Sequence, residues 1–390
     1  ILLKKITNLK IQKLIFVLKQ YRIFLILLFT YMPLFQYYIE LNNKKGHSFM
    51  TGDWLINYNF GFISRGLFGT ILINLFDNQE QLLDALSFVL ISIYLFIFLF
   101  LNKTFNNNNQ NIISYILIFS PASFLFNIYD SQGSFRKEIL GILALFVLTS
   151  LTKERIRTGV IFLSALIYTI GIFSHSVNLF FLTTILYILL KVLYSKKIIH
   201  YLFFLIPTLL NFIIFFLFSN NEQELYIKRD LMCIQLENLD LSNLCGYGAF
   251  DFITLDLNAA YYISQNYIIN ENREASYVYI ILFLLSILPL LFDKNTFKNI
   301  YAFLFIGFSF TPLFLIAIDW GRWIYIISVC FLAIYLINKK NKINRKYKYI
   351  LLIYPFLFRV EHCCSPSVEL NFVNIIKNID YLRNNLFSIF

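Results

Sequence analysis

Four short polar clusters interrupt a strongly apolar chain, and each carries groups able to hold an anion or accept a proton. The first is Gly52-Asp53-Trp54 followed by Gly61-Phe62-Ile63-Ser64-Arg65-Gly66-Leu67-Phe68-Gly69. The second is the run Tyr129-Asp130-Ser131-Gln132-Gly133-Ser134-Phe135-Arg136-Lys137-Glu138, which leads straight into an apolar block. The third is Asp319-Trp320-Gly321-Arg322-Trp323, squeezed between two apolar blocks, and the fourth is Ser174-His175-Ser176. Arginine presents a planar fork that matches phosphate oxygens in pairs. A carboxylate or imidazole nearby takes a proton from a hydroxyl nucleophile. Ionisable groups at the edge of an apolar span are costly and mark functional sites.

Each cluster also has a plainer reading. Arg65 lies in an amphipathic run ending at Phe76 and could snorkel to lipid headgroups. The charges from Asp130 to Glu138 could form a solvated turn, although two adjacent cations, Arg136 and Lys137, suit an anionic headgroup. Asp319 and Arg322, three residues apart, could form a self-contained helical pair. A lone His175 could be a hydrogen-bonded structural residue. No Walker A sequence, G-x-G-x-x-G, H-E-x-x-H or paired C-x-x-C occurs, so ATP hydrolysis, dinucleotide binding and structural zinc have no support. No cofactor is expected, and the participation of a metal is left open. Of five cysteines, Cys233 and Cys245 fall in one polar loop, where an oxidising compartment would permit a disulfide.

The elements that must position these groups follow from composition. Hydrophobic residues make up 58% of the chain and charged residues 14%, against about 25% charged in a typical soluble domain. The apolar residues come in continuous blocks long enough to cross roughly 30 Å of hydrocarbon. With no water to satisfy the backbone, continuous rather than alternating blocks demand helices. The expected fold is all-α, a polytopic transmembrane helical bundle forming one domain over 1–390. About eleven spans (range 10–12) are expected at 22–39, 85–101, 112–129, 139–151, 158–174, 177–194, 201–219, 277–292, 299–318, 323–338 and 349–360. The basic stretch from Ile1 to Arg22 and the apolar run after it read as a signal-anchor retained as the first span.

Charge tests this topology. With the N-terminus inside, the inner segments hold 21 Lys and Arg but only Glu154 and Asp293, while the outer segments hold 12 basic and 20 acidic residues. That asymmetry follows the positive-inside rule and puts the C-terminus outside. It also explains the net charge of +11 without nucleic acid, since no basic face is interleaved with stacking aromatics. All four clusters then share the outer face, with one larger outer loop at 220–276. A transporter would carry charges or broken helices near the midplane and often two similar halves; neither is evident.

The layout, together with the strings G-F-I-S-R-G-L-F-G at 61–69, F-R-K-E at 135–138 and D-W-G-R-W at 319–323, resembles the O-antigen (Wzy-type) and capsule polymerases of bacterial surface-polysaccharide assembly. More loosely, it is similar to the GT-C glycosyltransferases, whose acid in the first outer loop Asp53 could match, although a D-x-D pair is missing. The resemblance implies a bacterial inner-membrane enzyme that transfers a glycan from one undecaprenyl-diphosphate carrier to a sugar hydroxyl on another at the periplasmic face. Arg65, Arg136 and Arg322 would hold the diphosphate with help from Lys137, and Trp320 and Trp323 would complete the glycan-binding surface. Asp319, Asp53 or His175 would act as base, or Asp319 would only orient Arg322. Expected partners are the lipid-linked glycan, membrane lipids and other polysaccharide-assembly proteins. The alternatives are a GT-C-type transfer of a single sugar from a polyprenyl phosphate and, of another class, a polysaccharide flippase or other transporter.

Overall fold

The computed structural model describes residues 16, 18–108, 112–151, 156–194, 197–218, 222–255, 257–267, 273–292, 300–337 and 353–363. These residues fold into helices, with no strand among them. In chain order the α-helices are α1 (Arg22–Asn43), α2 (Gly52–Leu55), α3 (Leu67–Leu75), α4 (Gln79–Asn108), α5 (Ile112–Ile118), α6 (Phe126–Tyr129), α7 (Ile139–Thr149) and α8 (Thr158–Ser174). They continue as α9 (Phe181–Tyr187), α10 (Ile199–Leu217), α11 (Glu222–Asn238), α12 (Leu257–Asn266), α13 (Arg273–Leu291), α14 (Ile300–Ser309), α15 (Thr311–Ile316) and α16 (Trp320–Ile337). Five of them, α1, α4, α10, α13 and α16, are long and apolar enough to cross a bilayer.

Burial sorts these helices into a centre and a rim. In α16 94% of the apolar window is buried inside the protein, whereas in α10 only 22% is. The pattern on α10 is inverted relative to a soluble helix. His200, Phe204, Thr208 and Asn211 face inward, while Leu209, Phe216 and Leu217 are exposed. The inward polar groups bond to neighbours: Thr208 Oγ1 lies 3.0 Å from the Tyr168 hydroxyl, and Asn211 Nδ2 donates to the Ile172 carbonyl at 3.4 Å. Such a helix gains nothing by hiding its apolar face from lipid, so packing and interhelical hydrogen bonds hold it, at roughly 0.6–2 kcal/mol per bond. This is the organisation of a membrane protein.

At the centre lies α7, buried at every position and packed against α4, α8, α9 and α16. Its 11 residues reach only about 16 Å at 1.5 Å per residue, too short to cross the hydrocarbon core alone. The expected block 112–129 is also divided. Helix α5 ends at Ile118, Pro121 follows, and Ser120 Oγ accepts from the Ala122 N–H at 3.2 Å before the short α6 begins. The block 177–194 starts as a 3₁₀ turn (Ser176–Phe180) and ends as a π-helical turn (Ile188–Val192). Block 299–318 breaks between α14 and α15, ahead of Pro312.

The span expected at 349–360 is corrected in its described part. Tyr354–Phe356 forms a single 3₁₀ turn, and the chain then runs without helix to residue 363. Its polar groups are used for docking: the Tyr354 hydroxyl donates to the Leu285 carbonyl, and the Tyr129 hydroxyl donates to the Pro355 carbonyl at 3.2 Å. The expected basic segments 4–14 and 339–348, Lys153 and Arg155, Lys294 and Lys298, and Cys364 lie outside the described residues.

The loop expected at 220–276 forms, in its described residues, a helical cap of α11, α12 and two 3₁₀ turns. A Cys233–Cys245 disulfide closes it. It is clasped to the first loop through Lys228 Nζ, which donates to the Phe62 carbonyl at 3.2 Å, and Asn57 Nδ2, which donates to Gln235 Oε1 at 3.3 Å. Helix α12 rests on α15.

Candidate active site

The four polar clusters, up to 269 positions apart from Asp53 to Arg322, meet at one end of the bundle. The meeting point is built on Phe135. This residue has φ of +53°, a left-handed conformation that costs a bulky side chain energy. Packing compensates: its ring stacks on Tyr38 at 4.1 Å and meets the edge of Tyr94 at 5.3 Å. Trp54 Nε1 donates to its carbonyl at 2.5 Å, and its N–H donates to the Tyr94 hydroxyl at 3.3 Å. The kink turns the three following charged residues, Arg136, Lys137 and Glu138, toward separate partners.

Lys137 is fully buried, and its Nζ donates to the Arg65 carbonyl at 2.6 Å. Arg65 Nη1 lies 3.8 Å from Asp53 Oδ1, within ion-pair range but beyond a hydrogen bond. Glu138, 3% exposed, forms an ion pair with Arg322, which also pairs with Asp319. The Asp319–Arg322 pair, self-contained in the plainer reading of that cluster, is therefore one arm of a triad that reaches across to Glu138 at the start of α7. Arg136 lies over the Phe49 ring with its guanidinium carbon 5.4 Å from the centroid.

Asp53, like Glu138, is buried with both carboxylate oxygens lacking a hydrogen bond from a described residue. It is 1% exposed. Burial pushes its acidity down, yet the charges of Lys137, Arg136 and Arg65 outweigh that and hold it below the ordinary carboxylate range. Burial lowers Lys137 to about 7, with Asp53 opposing. Asp319 is raised, chiefly by burial. The site thus holds an ionised, unbonded carboxylate facing cations that are only partly satisfied, which is an unstable combination for structure alone.

His175 is held at the end of α8 by a local bond. Its Nδ1 accepts from the Val177 N–H at 3.2 Å, capping the 3₁₀ turn, so the neutral ring carries its proton on Nε2. Burial and neighbouring cations lower it to about 3, which keeps it neutral at physiological pH. Trp323 is buried behind Arg322, its ring centroid 5.1 Å from the guanidinium carbon, and Trp320 turns into an apolar groove, where Nε1 donates to the Phe314 carbonyl at 3.0 Å. Trp323 is thus covered, while Trp320 remains partly exposed.

Two contributors carry no local sequence signal. Asn178 is fully buried and ties two clusters together: Nδ2 donates to the carbonyls of Gly171 (3.0 Å), His175 (3.1 Å) and Lys137 (3.3 Å), and Oδ1 accepts from the Gly141 N–H (3.0 Å). The second is the segment 357–363, which forms a strap across the start of α16. His362 Nδ1 lies 2.7 Å from Asp130 Oδ2, its N–H donates to the same oxygen, and its carbonyl accepts from the Gly321 N–H at 3.1 Å. Despite burial, these bonds from His362 hold Asp130 below its ordinary value. Gly321 is required here because a Cβ would overlap the Glu361 carbonyl.

Beneath the strap, the polar void lined by Arg136, Glu138, Arg322 and Tyr325 measures about 10 Å³, room for roughly one water. Chemically, the cluster can neutralise a multiply charged anion and offers Asp53 and Asp319 as proton acceptors. Among the described residues no group of three or more His, Cys, Asp or Glu side chains could hold a metal ion. No protein-family model, curated protein or solved structure matches the chain.

Proposed function

We propose that the protein transfers glycosyl groups carried on a polyprenyl diphosphate, joining repeat units of a bacterial surface polysaccharide at the outer face of the inner membrane. The observation that carries this reading is the convergence of Arg65, Arg136, Lys137 and Arg322 around the unbonded carboxylate of Asp53, at one end of an apolar bundle. In the proposed step an acceptor hydroxyl oxygen attacks the anomeric carbon of the donor sugar. The bond from that carbon to the phosphate oxygen breaks, the diphosphate leaves with the electron pair, and a carboxylate takes the hydroxyl proton. Arg322, Arg136 and Arg65 offset the charge gathering on the leaving group, the interaction that most lowers such a barrier. Asp53 fits the base better than His175, whose Nε2 already bears a proton. A bound diphosphate would also draw the cations away from Asp53 and raise its proton affinity at the moment a base is needed.

Transfer of a single sugar from a polyprenyl phosphate is the second reading. It is favoured by Asp53 itself, an acid in the first loop held inside the cluster. Deleting the gene separates these. Lipid carriers bearing one repeat unit support polymerisation, loss of one sugar branch supports single transfer, and cytoplasmic build-up of finished carriers would point to a flippase. Arg322→Lys is expected to abolish polymer while the protein stays in the membrane, because an ammonium cannot keep both ion pairs and a bidentate phosphate contact. Full-length polymer from that variant would remove Arg322 from the mechanism.

A further inference from the structure

The strap across the start of α16 has two parts held by different forces. Tyr354, Phe358 and Val360 are buried and anchor its first part in the bundle. Glu361 and His362, at its tip, are only half-buried, and polar contacts hold them. His362 gives both its backbone N–H and its Nδ1 to one oxygen of Asp130. Its carbonyl accepts from the Gly321 N–H at 3.1 Å, and the Glu361 carbonyl accepts from the Tyr279 hydroxyl at 3.3 Å.

The tip touches down on two glycines at the polar void. A Cβ on Gly133 would lie 3.0 Å from the His362 Cβ, and one on Gly321 would overlap the Glu361 carbonyl. Gly133 lines the void, and Gly321 directly precedes Arg322, which lines it too. Under this cover the Arg322 and Glu138 side chains are 5% and 4% exposed. Arg136 Nε and both Glu138 oxygens are buried without a hydrogen-bond partner among the described residues. The void, at about 10 Å³, has room for roughly one water and none for a phosphate group. Buried polar groups in folded proteins are nearly always satisfied. A sealed cluster with unused donors and acceptors is therefore a closed state, and whatever it binds reaches Arg322 only when the cover moves. Arg65 and Arg136, by contrast, keep partial exposure and can meet an anion from outside first.

We propose that the tip of the strap is a gate, latched by His362 on Asp130, that hinges at Val360 and lifts to uncover Arg322 and Glu138. The identity of what it admits, a diphosphate head, rests on the functional reading above; the gate itself does not. Lifting the tip is a local event, because Phe358 and Val360 stay packed and only the polar contacts of Glu361 and His362 pass to water. The latch is the strongest of these contacts, since bonds to a charged acceptor are about twice as strong as neutral ones and two of them fall on Asp130.

Phenylglyoxal, which modifies accessible guanidinium groups, reads the gate directly. Full-length protein in detergent is treated with it, and modification of Arg322 is followed by mass spectrometry relative to Arg22. That reference arginine lies against the Phe105 and Tyr115 rings at the start of α1, so a general loosening cancels in the ratio. Hydrogen exchange at Gly321, whose N–H is bonded to the His362 carbonyl, reports lifting of the tip in the same samples. Asp130→Asn and His362→Ala weaken the latch, and Gly133→Ala pushes the tip away without touching it. Each is expected to raise the Arg322 ratio at least tenfold, with Gly321 exchange quickening in step. An unmoved ratio in all three variants would overturn the gate and leave the strap a structural tie. So would faster Arg322 modification while Gly321 keeps its protection, because the cover would then lie elsewhere. Inorganic pyrophosphate should shield Arg322 in the unlatched variants. If the tip lifts as expected but pyrophosphate gives no shielding, the gate stands and the proposed diphosphate site fails.

Discussion

The Glu138–Arg322–Asp319 triad offers a test that needs no knowledge of the reaction. The Arg322 and Glu138 side chains are 5% and 4% exposed, and Asp319 is 25% exposed. Replacing Arg322 with Met keeps the stem volume but leaves the Glu138 carboxylate buried without its counter-ion. Removing one partner of a buried pair costs about 3–5 kcal/mol, because the remaining charge keeps its desolvation penalty. Glu138→Gln should cost less, about 1–3 kcal/mol, since Arg322 retains Asp319. The double variant Arg322→Met/Glu138→Gln removes both charges of the buried arm. It should be more stable than the two single losses combined, by a coupling of about 1–3 kcal/mol. Reversible unfolding in mixed detergent micelles, followed by fluorescence of the three tryptophans, measures all four corners of the cycle. Additivity within about 0.5 kcal/mol would refute the pairing, and so would an Arg322→Met variant as stable as the parent.

Three further outcomes are expected. Lys137 binds its proton more weakly when folded, at about 7 against an ordinary 10.5. The unfolded chain therefore holds more protons between those values, so stability should rise with pH from about 7 toward 10, and a pH series of thermal unfolding should flatten in Lys137→Met. Reducing the Cys233–Cys245 bridge, or replacing Cys233 with Ser, frees a loop of sequence separation 12 and should lower the stability of the cap by about 3 kcal/mol, measured by hydrogen exchange over α11. Gly321→Ala forces the Glu361 backbone away, so protease cleavage within 357–363 should quicken several-fold while the α10 and α13 signals stay unchanged.

Much of the bundle was legible in the sequence because lipid demands continuous apolar stretches. The blocks 22–39 and 201–219 correspond to α1 and α10 within a few residues. Less legible was which blocks cross a bilayer by themselves. Hydropathy cannot distinguish α7, a short helix wrapped in protein, from a lipid-facing span, and it read Tyr354 and its neighbours as a span although their polar groups dock them as a turn. At the site, the four charged clusters announced themselves because charge beside hydrocarbon is rare. Their mutual pairing did not, since spacing along the chain says nothing about Glu138 meeting Arg322. Asn178 escaped because an uncharged amide beside an apolar block is common, and His362 because its partner Asp130 lies 232 positions away.

That long-range pairing has a consequence for biosynthesis. Glu138 sits at the entrance to a helix too short to be held in the membrane by its own apolarity, and its counter-ion belongs to a helix made roughly 180 residues later. At 5–20 residues per second, the carboxylate waits roughly ten to forty seconds for Arg322. During that interval α7 cannot settle as a buried charge-bearing helix without protection, so it must stay near water, with the insertion machinery or beside earlier helices. His362 arrives later still and closes the strap over the finished cluster. The assembly of the site is therefore timed by the ribosome: a truncated chain that has its first helices lacks the cation that completes the cluster, and such an incomplete product is open to quality control.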